Sequence, residues 1–440
     1  MSAMVAAVDR RLEGVTIPTE TVLTWQAPPI KFGLGALREL GHDVRRLGVT
    51  KALIVTDPTL FQLGLAEQVR ETVEGQGVET ETYAEAHIEP TDASFREALR
   101  ALEGQDYDGY VGLGGGSAID TAKAINLLKT HPAPLRRYLN QPIGEGAPVP
   151  GPLRPLVAVP TTAGTGSECT PVCIVDVLDL KLKTGISHAA LRPTLAVIDP
   201  LLTLTMPPAV TAATGYDVLT HALESYTAKP YDRRPRTDDP SRRPAYIGAN
   251  PISDVWCERA LALIGQFFRR AVLNPHDLEA RTAMSQAATY AGMGFGNAGV
   301  HLPHAIAYPI AGMVREYRPD GYGPGEPMIP HGQSVIVTAP ATFAFTYVTS
   351  PERHLRAAEL LGASLQGVTA AGGRDLLPAT LVGIIRDTGG PLGITAFGYH
   401  ETDIRALVEG TLKQERLLAQ APRPCGPEQI EAVIRASMHL

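Results

Sequence analysis

Up to about residue 200 short β-branched runs alternate with amphipathic ones. "KALIVTDPTL" (51–60) reads as a strand ending in a turn and "GLAEQVRETVEGQG" (64–77) as an amphipathic helix. "DYDGYVGLGGGS" (106–117) reads as a further strand, and "AIDTAKAINLLKT" (118–130) as the helix after it. Strand–helix alternation of this kind predicts a parallel sheet covered by helices. After "LAVIDPLLTLTMPP" (195–208) the strand signals largely stop. Segments such as "DVWCERALALIGQFFRRAVL" (254–273), "LEARTAMSQAATYAGM" (278–293) and "PERHLRAAELLGASL" (351–365) predict helices separated by glycine and proline. The pattern divides the chain into an α/β domain over 1–205 and an all-helical domain over 206–440. Two loops rich in proline and charge, 228–250 and 315–329, are long enough to be either disordered or part of a site. No internal repeat at a solenoid period is present.

Composition narrows the class. The chain has 440 residues, 44% hydrophobic and 19% charged, as in an ordinary globular protein of two or three domains. The net charge is −7, and the densest basic segment, "YDRRPRTDDPSRRPAY" (231–246), is interleaved with acids and prolines, so no nucleic-acid partner is expected. The four cysteines, Cys169, Cys173, Cys257 and Cys425, lack the paired spacing of a zinc ribbon and read as reduced thiols of a cytoplasmic protein. No apolar run reaches the ~18 residues of a membrane span. The N-terminal "MSAMVAAVDRRLEG" is a poor secretory signal, and Asp9 and Glu13 count against a mitochondrial transit peptide.

"YVGLGGGSAIDTAKA" places Gly114, Gly115 and Gly116 between a strand and a helix, where backbone N–H groups and Ser117 can hold a pyrophosphate; the same glycines can also simply make a tight turn. A second loop, "VPTTAGTGSE", offers the hydroxyls of Thr161, Thr162, Thr165 and Ser167. Asp57 ends a strand, where a carboxylate can accept both hydroxyls of an adenosine ribose and favour NAD over NADP, or can cap the helix that Pro58 opens. The acid precedes the glycine loop, whereas in the usual dinucleotide-binding order it follows by roughly 20 residues. Either a different nucleotide fold or no nucleotide fold is therefore expected.

"GYDVLTHALESY" (215–226) sets Asp217 and His221 one turn apart on an apolar helix, so both side chains leave one face. Such a pair makes either a local hydrogen bond or half of a metal site. His304, after Pro303, and His331, between Pro330 and Gly332, are confined enough to be further ligands. One carboxylate and three imidazoles suit Fe(II) or Zn(II) and not calcium.

Taken in order, "FGLG", "VTD", "GGGSAIDTAKA", "PTTAGTGSE", "DP", "GYDVLTHALESY", "HAIAYPI" and "PHG" resemble the iron-containing (group III) alcohol dehydrogenases over nearly the whole chain. Within that family "RPAYIGANPISDVW", "NPHDLEAR", "GFGNAGVHLPHAIAYPI" and "PHGQSVIVTAPATFAFT" resemble the hydroxyacid-oxoacid transhydrogenase branch. The resemblance implies the dehydroquinate synthase-like fold: an α/β dinucleotide-binding domain, an all-α metal-binding domain, and a catalytic metal in the cleft between them.

Carried over by position, the resemblance puts the metal ligands on Asp217, His221, His304 and His331. It puts the cofactor contacts on Asp57, Gly115, Gly116, Ser117, Asp120, Thr161, Thr162 and Lys183. Where many relatives have a histidine four residues after His304 this chain has Tyr308, so the proton relay falls to Tyr308 or His301. The segment from His304 to His331 is also enlarged, by "REYRPDGYGPGEP". The implied reaction is hydride transfer from a hydroxyacid to NAD and on to an oxoacid, with 4-hydroxybutyrate and 2-oxoglutarate as the substrate pair and Fe(II) or Zn as the metal. An anionic substrate calls for a cation in the cleft, for which Arg192, Arg315 and Arg318 are the candidates. A homo-oligomer, dimer or higher, located in the cytoplasm or, in a eukaryotic source, the mitochondrial matrix, is expected. The competing readings are a dehydrogenase of the same family that exchanges NAD freely and acts on a small alcohol or aldehyde, a dehydroquinate-synthase-like lyase, and a metal-binding protein without catalysis.

Overall fold

The computed structural model describes residues 19–180, 182–237, 239, 243–322 and 327–440. The N-terminal segment "MSAMVAAVDRRLEG" and parts of both long loops lie outside them. The strands are β1 (Ile30–Phe32), β2 (Lys51–Val55), β3 (Glu79–Tyr83), β4 (Gly109–Gly114), β5 (Leu156–Pro160), β6 (Val172–Val177), β7 (Leu182–Ser187) and β8 (Leu195–Ile198). Six of them form one sheet in the order β1-β8-β5-β4-β2-β3, and every pairing in it is parallel. β4 and β5 are buried along their whole length, and β2 along all but its first residue. These are the continuous apolar runs expected of strands covered on both faces.

Chain order along this sheet reverses between β2 and β4, whose register pairs Val55 with Gly112. Ligands of doubly wound sheets bind outside the carboxyl ends of the strands at such a reversal. Asp57 follows β2 and Gly114–Gly116 follow β4, so both stand at that point. The reversal accounts for the acid preceding the glycine loop: β2 and β4 are the adjacent strands here, and β2 comes first in the chain.

β6 and β7 form a separate antiparallel hairpin, with Asp176 opposite Lys183, which the strand–helix pattern did not foresee. It packs on helix α1 (Gly116–Thr130) through β6 and on a helix of the C-terminal half through β7. Lys183 thereby enters the cleft between the two halves.

The helical half is built on α2 (Pro208–Thr227), opened by proline at its first turn. From Thr211 to Thr227 only Thr214 is not buried, as in a helix enclosed on all sides. Around it lie α3 (Pro251–Leu273, capped by Asn250), α4 (Leu278–Ala298), α5 (Leu302–Gly312) and α6 (His331–Ile336), with further helices running to Ala436. No helix among the described residues is long and apolar enough to cross a membrane.

Candidate metal and nucleotide site

Asp217 and His221 leave one face of α2, with His221 Nε2 3.4 Å from Asp217 Oδ1. The same oxygen lies 3.5 Å from His304 Nε2 on α5 and 3.8 Å from His331 Nε2 on α6. Bonds of about 2.1 Å at tetrahedral angles separate ligand atoms by about 3.4 Å. The donors of Asp217, His221 and His304 all lie within 4.8 Å of one another, the spacing of one ion's ligands, and His331 stands at their edge, near Asp217 but outside that mutual spacing. Asp217 Oδ1 and His304 Nε2 are buried and make no hydrogen bond. Paired with the nitrogen and oxygen chemistry of the set, this fits Fe(II) or Zn(II). His331 reaches the group because Gly332 lies against α2, where a Cβ would sit 1.9 Å from the Ala213 carbonyl.

The charges are consistent with that arrangement. Burial opposes ionisation of Asp217, yet the three imidazoles hold its carboxyl well below the usual range. Burial drives His221 down to about 3, leaving its lone pair free. His304 goes the other way: burial disfavours its charge, but Glu224 and Asp217 outweigh burial and raise it to about 9.

Glu224 is the residue that the spacing argument missed. Fully buried, it sets Oε1 2.5 Å from His304 Nδ1 and accepts the His301 N–H with Oε2. With Nδ1–H directed at Glu224, Nε2 is the nitrogen that faces the Asp217 oxygen, and it is the one whose lone pair a metal would take in place of a proton. The signal was present in the sequence, because Asp217, His221 and Glu224 follow the i, i+4, i+7 stripe of one helix face.

A cavity of about 350 Å³ runs along the carboxyl edge of the sheet, lined by Asp57, Gly115, Gly116, Ser117, Thr161 and Thr162, and reaches Asp217 and His331. A Cβ on Gly116 would lie 2.6 Å from Thr165 Oγ1, so the two loops touch only because no side chain is there. Asp57 caps a helix with one carboxylate oxygen and turns the other to the cavity. Its Oδ1 accepts the Leu60 N–H at 3.0 Å and caps a helix, while Oδ2 stands beside Gly114 at the cavity.

Asp120, which the resemblance makes a cofactor contact, lines the inner end of the cleft beside Ser117 and is tied into the protein there. Its oxygens accept hydrogen bonds from Ser167 Oγ, the Ile174 N–H and Lys123 Nζ. Lys123, with no exposed surface, also donates to the carbonyls of Ser167 and Val172 at 2.7 Å. The pair fastens α1 to the second loop, and Asp120 acts on that loop's position. Lys183 pairs with Glu89 and with Asp176 Oδ2 at the cleft wall.

An inner cavity of about 110 Å³ adjoins the metal donors. Besides Asp217 and the three histidines it is lined by Lys183, Tyr246, Tyr308 and Arg416. Tyr308 has its ring 6.1 Å from that of His331, and burial pushes its phenol well above the ordinary value against the pull of Arg416 and Lys183. His301 does not line this cavity. It is enclosed by Thr227 and Phe343, so of the two relay candidates only Tyr308 lines the cavity beside Asp217 and the three histidines.

The expected arginines are elsewhere. Arg315 pairs with Asp403 at the surface, Arg192 donates to the carbonyls of Gln26 and Gly296, and Arg318 lines the outer mouth of the cleft. Arg416 is the arginine of the inner cavity. It comes from a short helix, Glu415–Leu418, whose sequence offers no spacing signal.

Residues 27–200 match the family "iron-containing alcohol dehydrogenase", and residues 245–438 match "Fe-containing alcohol dehydrogenase family, C-terminal". The mitochondrial hydroxyacid-oxoacid transhydrogenase of Bos taurus is 46% identical over 413 residues, 93% of this chain and 89% of the relative. That of Homo sapiens is also 46% identical over 413 residues, 93% of this chain and 88% of the relative. Among solved structures, a 1,3-propanediol oxidoreductase superposes with a TM-score of 0.83 at 30% identity, covering 95% of this chain and all of the other. An alcohol dehydrogenase from Oenococcus oeni gives 0.82 at 28% identity over 94% of this chain and all of the other.

Proposed function

The chain belongs to the iron-containing alcohol dehydrogenase family, in its hydroxyacid-oxoacid transhydrogenase branch, and is an oxidoreductase; from that premise we propose that it moves hydride from 4-hydroxybutyrate to NAD and on to 2-oxoglutarate, yielding succinic semialdehyde and 2-hydroxyglutarate. The observation that carries this reading is the convergence of three imidazole nitrogens on Asp217 Oδ1 at the end of a cleft floored by two phosphate-binding loops.

Asp217, His221, His304 and His331 hold a divalent metal, Fe(II) or Zn. Gly115, Gly116, Ser117, Thr161 and Thr162 hold the NAD pyrophosphate and Asp57 the adenosine ribose. Bound there, a divalent metal would acidify a substrate hydroxyl, and NAD would take up and return the hydride. Glu224 keeps His304 in the ligating tautomer, and the Asp120–Lys123 pair fixes the second loop against α1. Tyr308, at the cavity wall, carries the hydroxyl proton outward, and Lys183 faces the cofactor's nicotinamide end. The two domains meet near residue 205. The protein is a homo-oligomer of the cytoplasm or, in a eukaryotic source, of the mitochondrial matrix; the relatives' names read "mitochondrial".

The test is an assay of iron-loaded protein with 4-hydroxybutyrate and 2-oxoglutarate and no added nicotinamide. Formation of 2-hydroxyglutarate supports a retained cofactor shuttling between two acids. Product that appears only with added NAD, or NADH that accumulates with simple alcohols, replaces it with an ordinary dehydrogenase of the same family.

A further inference from the structure

The cationic groups of the inner cavity differ in how far they are already neutralised. The imidazoles of His221, His304 and His331 face Asp217. Lys183 has two carboxylates, those of Glu89 and Asp176. Arg416 has none: among the described residues no acid lies within ion-pairing distance of it. Its Nη1 is buried without a hydrogen-bond acceptor. A buried guanidinium donor left unmade is unfavourable, and a cavity that tolerates one is suited to a ligand that brings the acceptor.

Its orientation is constrained as well. The guanidinium stands over the Tyr246 ring, 4.8 Å from the centroid, a contact that restricts where it can move. It is close enough to Tyr308 to act on that phenol, and both residues line the cavity that the metal donors line.

We propose that Arg416 is the residue that binds the substrate carboxylate and so sets the preference for acids over plain alcohols. The assignment rests on the hydroxyacid reading above and adds to it a substrate geometry. In 4-hydroxybutyrate two methylenes separate the reacting carbon from the carboxylate. In 2-oxoglutarate two methylenes likewise separate the reacting carbonyl from the distal carboxylate. One guanidinium at a fixed distance from the metal donors therefore serves both half-reactions, and the small volume of the cavity disfavours longer chains.

The experiment compares wild type with Arg416→Met and Arg416→Lys in the metal-loaded holoenzyme. It reads the ratio of kcat/KM for 4-hydroxybutyrate to kcat/KM for 1-butanol, with butyrate binding followed by calorimetry without turnover. Arg416→Met lowers the ratio on the order of 100-fold and removes the heat of butyrate binding, as truncation of one partner of a buried charge pair does. Arg416→Lys, which keeps the charge but loses the fork, lowers the ratio on the order of 10-fold and keeps the comparison readable if the methionine variant does not fold. An unchanged ratio in the folded variants, including one in which both substrates decline together, overturns the assignment. If the wild-type enzyme itself shows no preference for the acid, the hydroxyacid reading fails separately. Butyrate calorimetry then decides Arg416 alone: binding lost in the variants upholds the anion site, and binding unaffected by them removes it.

Discussion

Glu224 accepts the Nδ1 proton of His304 from one turn beyond His221, so α2 supplies two metal donors and also the group that orients a third. Replacing Glu224 with glutamine keeps the volume but removes the charge. Metal affinity, measured by competition with a chelator, falls about 10- to 100-fold, the usual cost of losing such a partner. Retention of wild-type affinity in this variant contradicts the positioning role.

Asp57→Ser tests the two uses of Asp57 separately. Serine keeps the helix cap, so the thermal midpoint changes little. The charge that repels a 2′-phosphate is gone, and the kcat/KM preference for NAD over NADP drops on the order of 10-fold or more. A preference that stays constant assigns Asp57 to capping alone.

Lys123 has no exposed surface and holds Asp120 and the second loop together. Lys123→Met leaves the buried Asp120 carboxylate without its cation and costs about 3–5 kcal/mol in urea unfolding. Adding Asp120→Asn recovers part of that loss, because the charge left unpaired is removed too. A double variant in which the two losses simply add shows that the residues are not coupled.

His354 gives the pH dependence. Its nitrogens meet Thr346 Oγ1 and the Ser350 carbonyl, each at 2.9 Å, and burial lowers it to about 4 from the ordinary 6.5. Between those values the unfolded chain binds a proton that the folded one does not. Stability therefore falls as pH drops from 6.5 towards 4, by up to about 1.4 kcal/mol per pH unit for this one group. His354→Gln, which cannot take up that proton, flattens the stability curve over the same window by a similar slope. An identical slope in the variant places the acid sensitivity elsewhere.

What the chain disclosed before folding was whatever local periodicity records. The i, i+4 relation of Asp217 and His221 is a property of one helix turn, and the glycines after β4 mark a place where two loops approach. The parallel sheet and the helical half followed from period and punctuation. The β6–β7 hairpin did not, because two short strands inside an α/β pattern read like the rest of it. Asp120 lines the cleft, and its ties to Lys123, Ser167 and Ile174 join residues too far apart in the chain for periodicity to record. Arg416 had no legible signal: it reaches the cavity from a four-residue helix near the C-terminus, and only tertiary packing sets it beside Tyr246 and Tyr308.

Three of the four metal donors, with Glu224, come before the long loop at 315–329, and only His331 comes after it. His331 is positioned by Gly332 resting on α2, and the loop is fastened to α6, the helix that His331 opens, because Tyr317 donates to Gln333 at 3.0 Å. Arg318 of that loop lines the outer mouth of the cleft. One segment therefore touches both the entrance and the helix of the last candidate metal donor, so a change in what the cleft admits is felt at the site that would act on it.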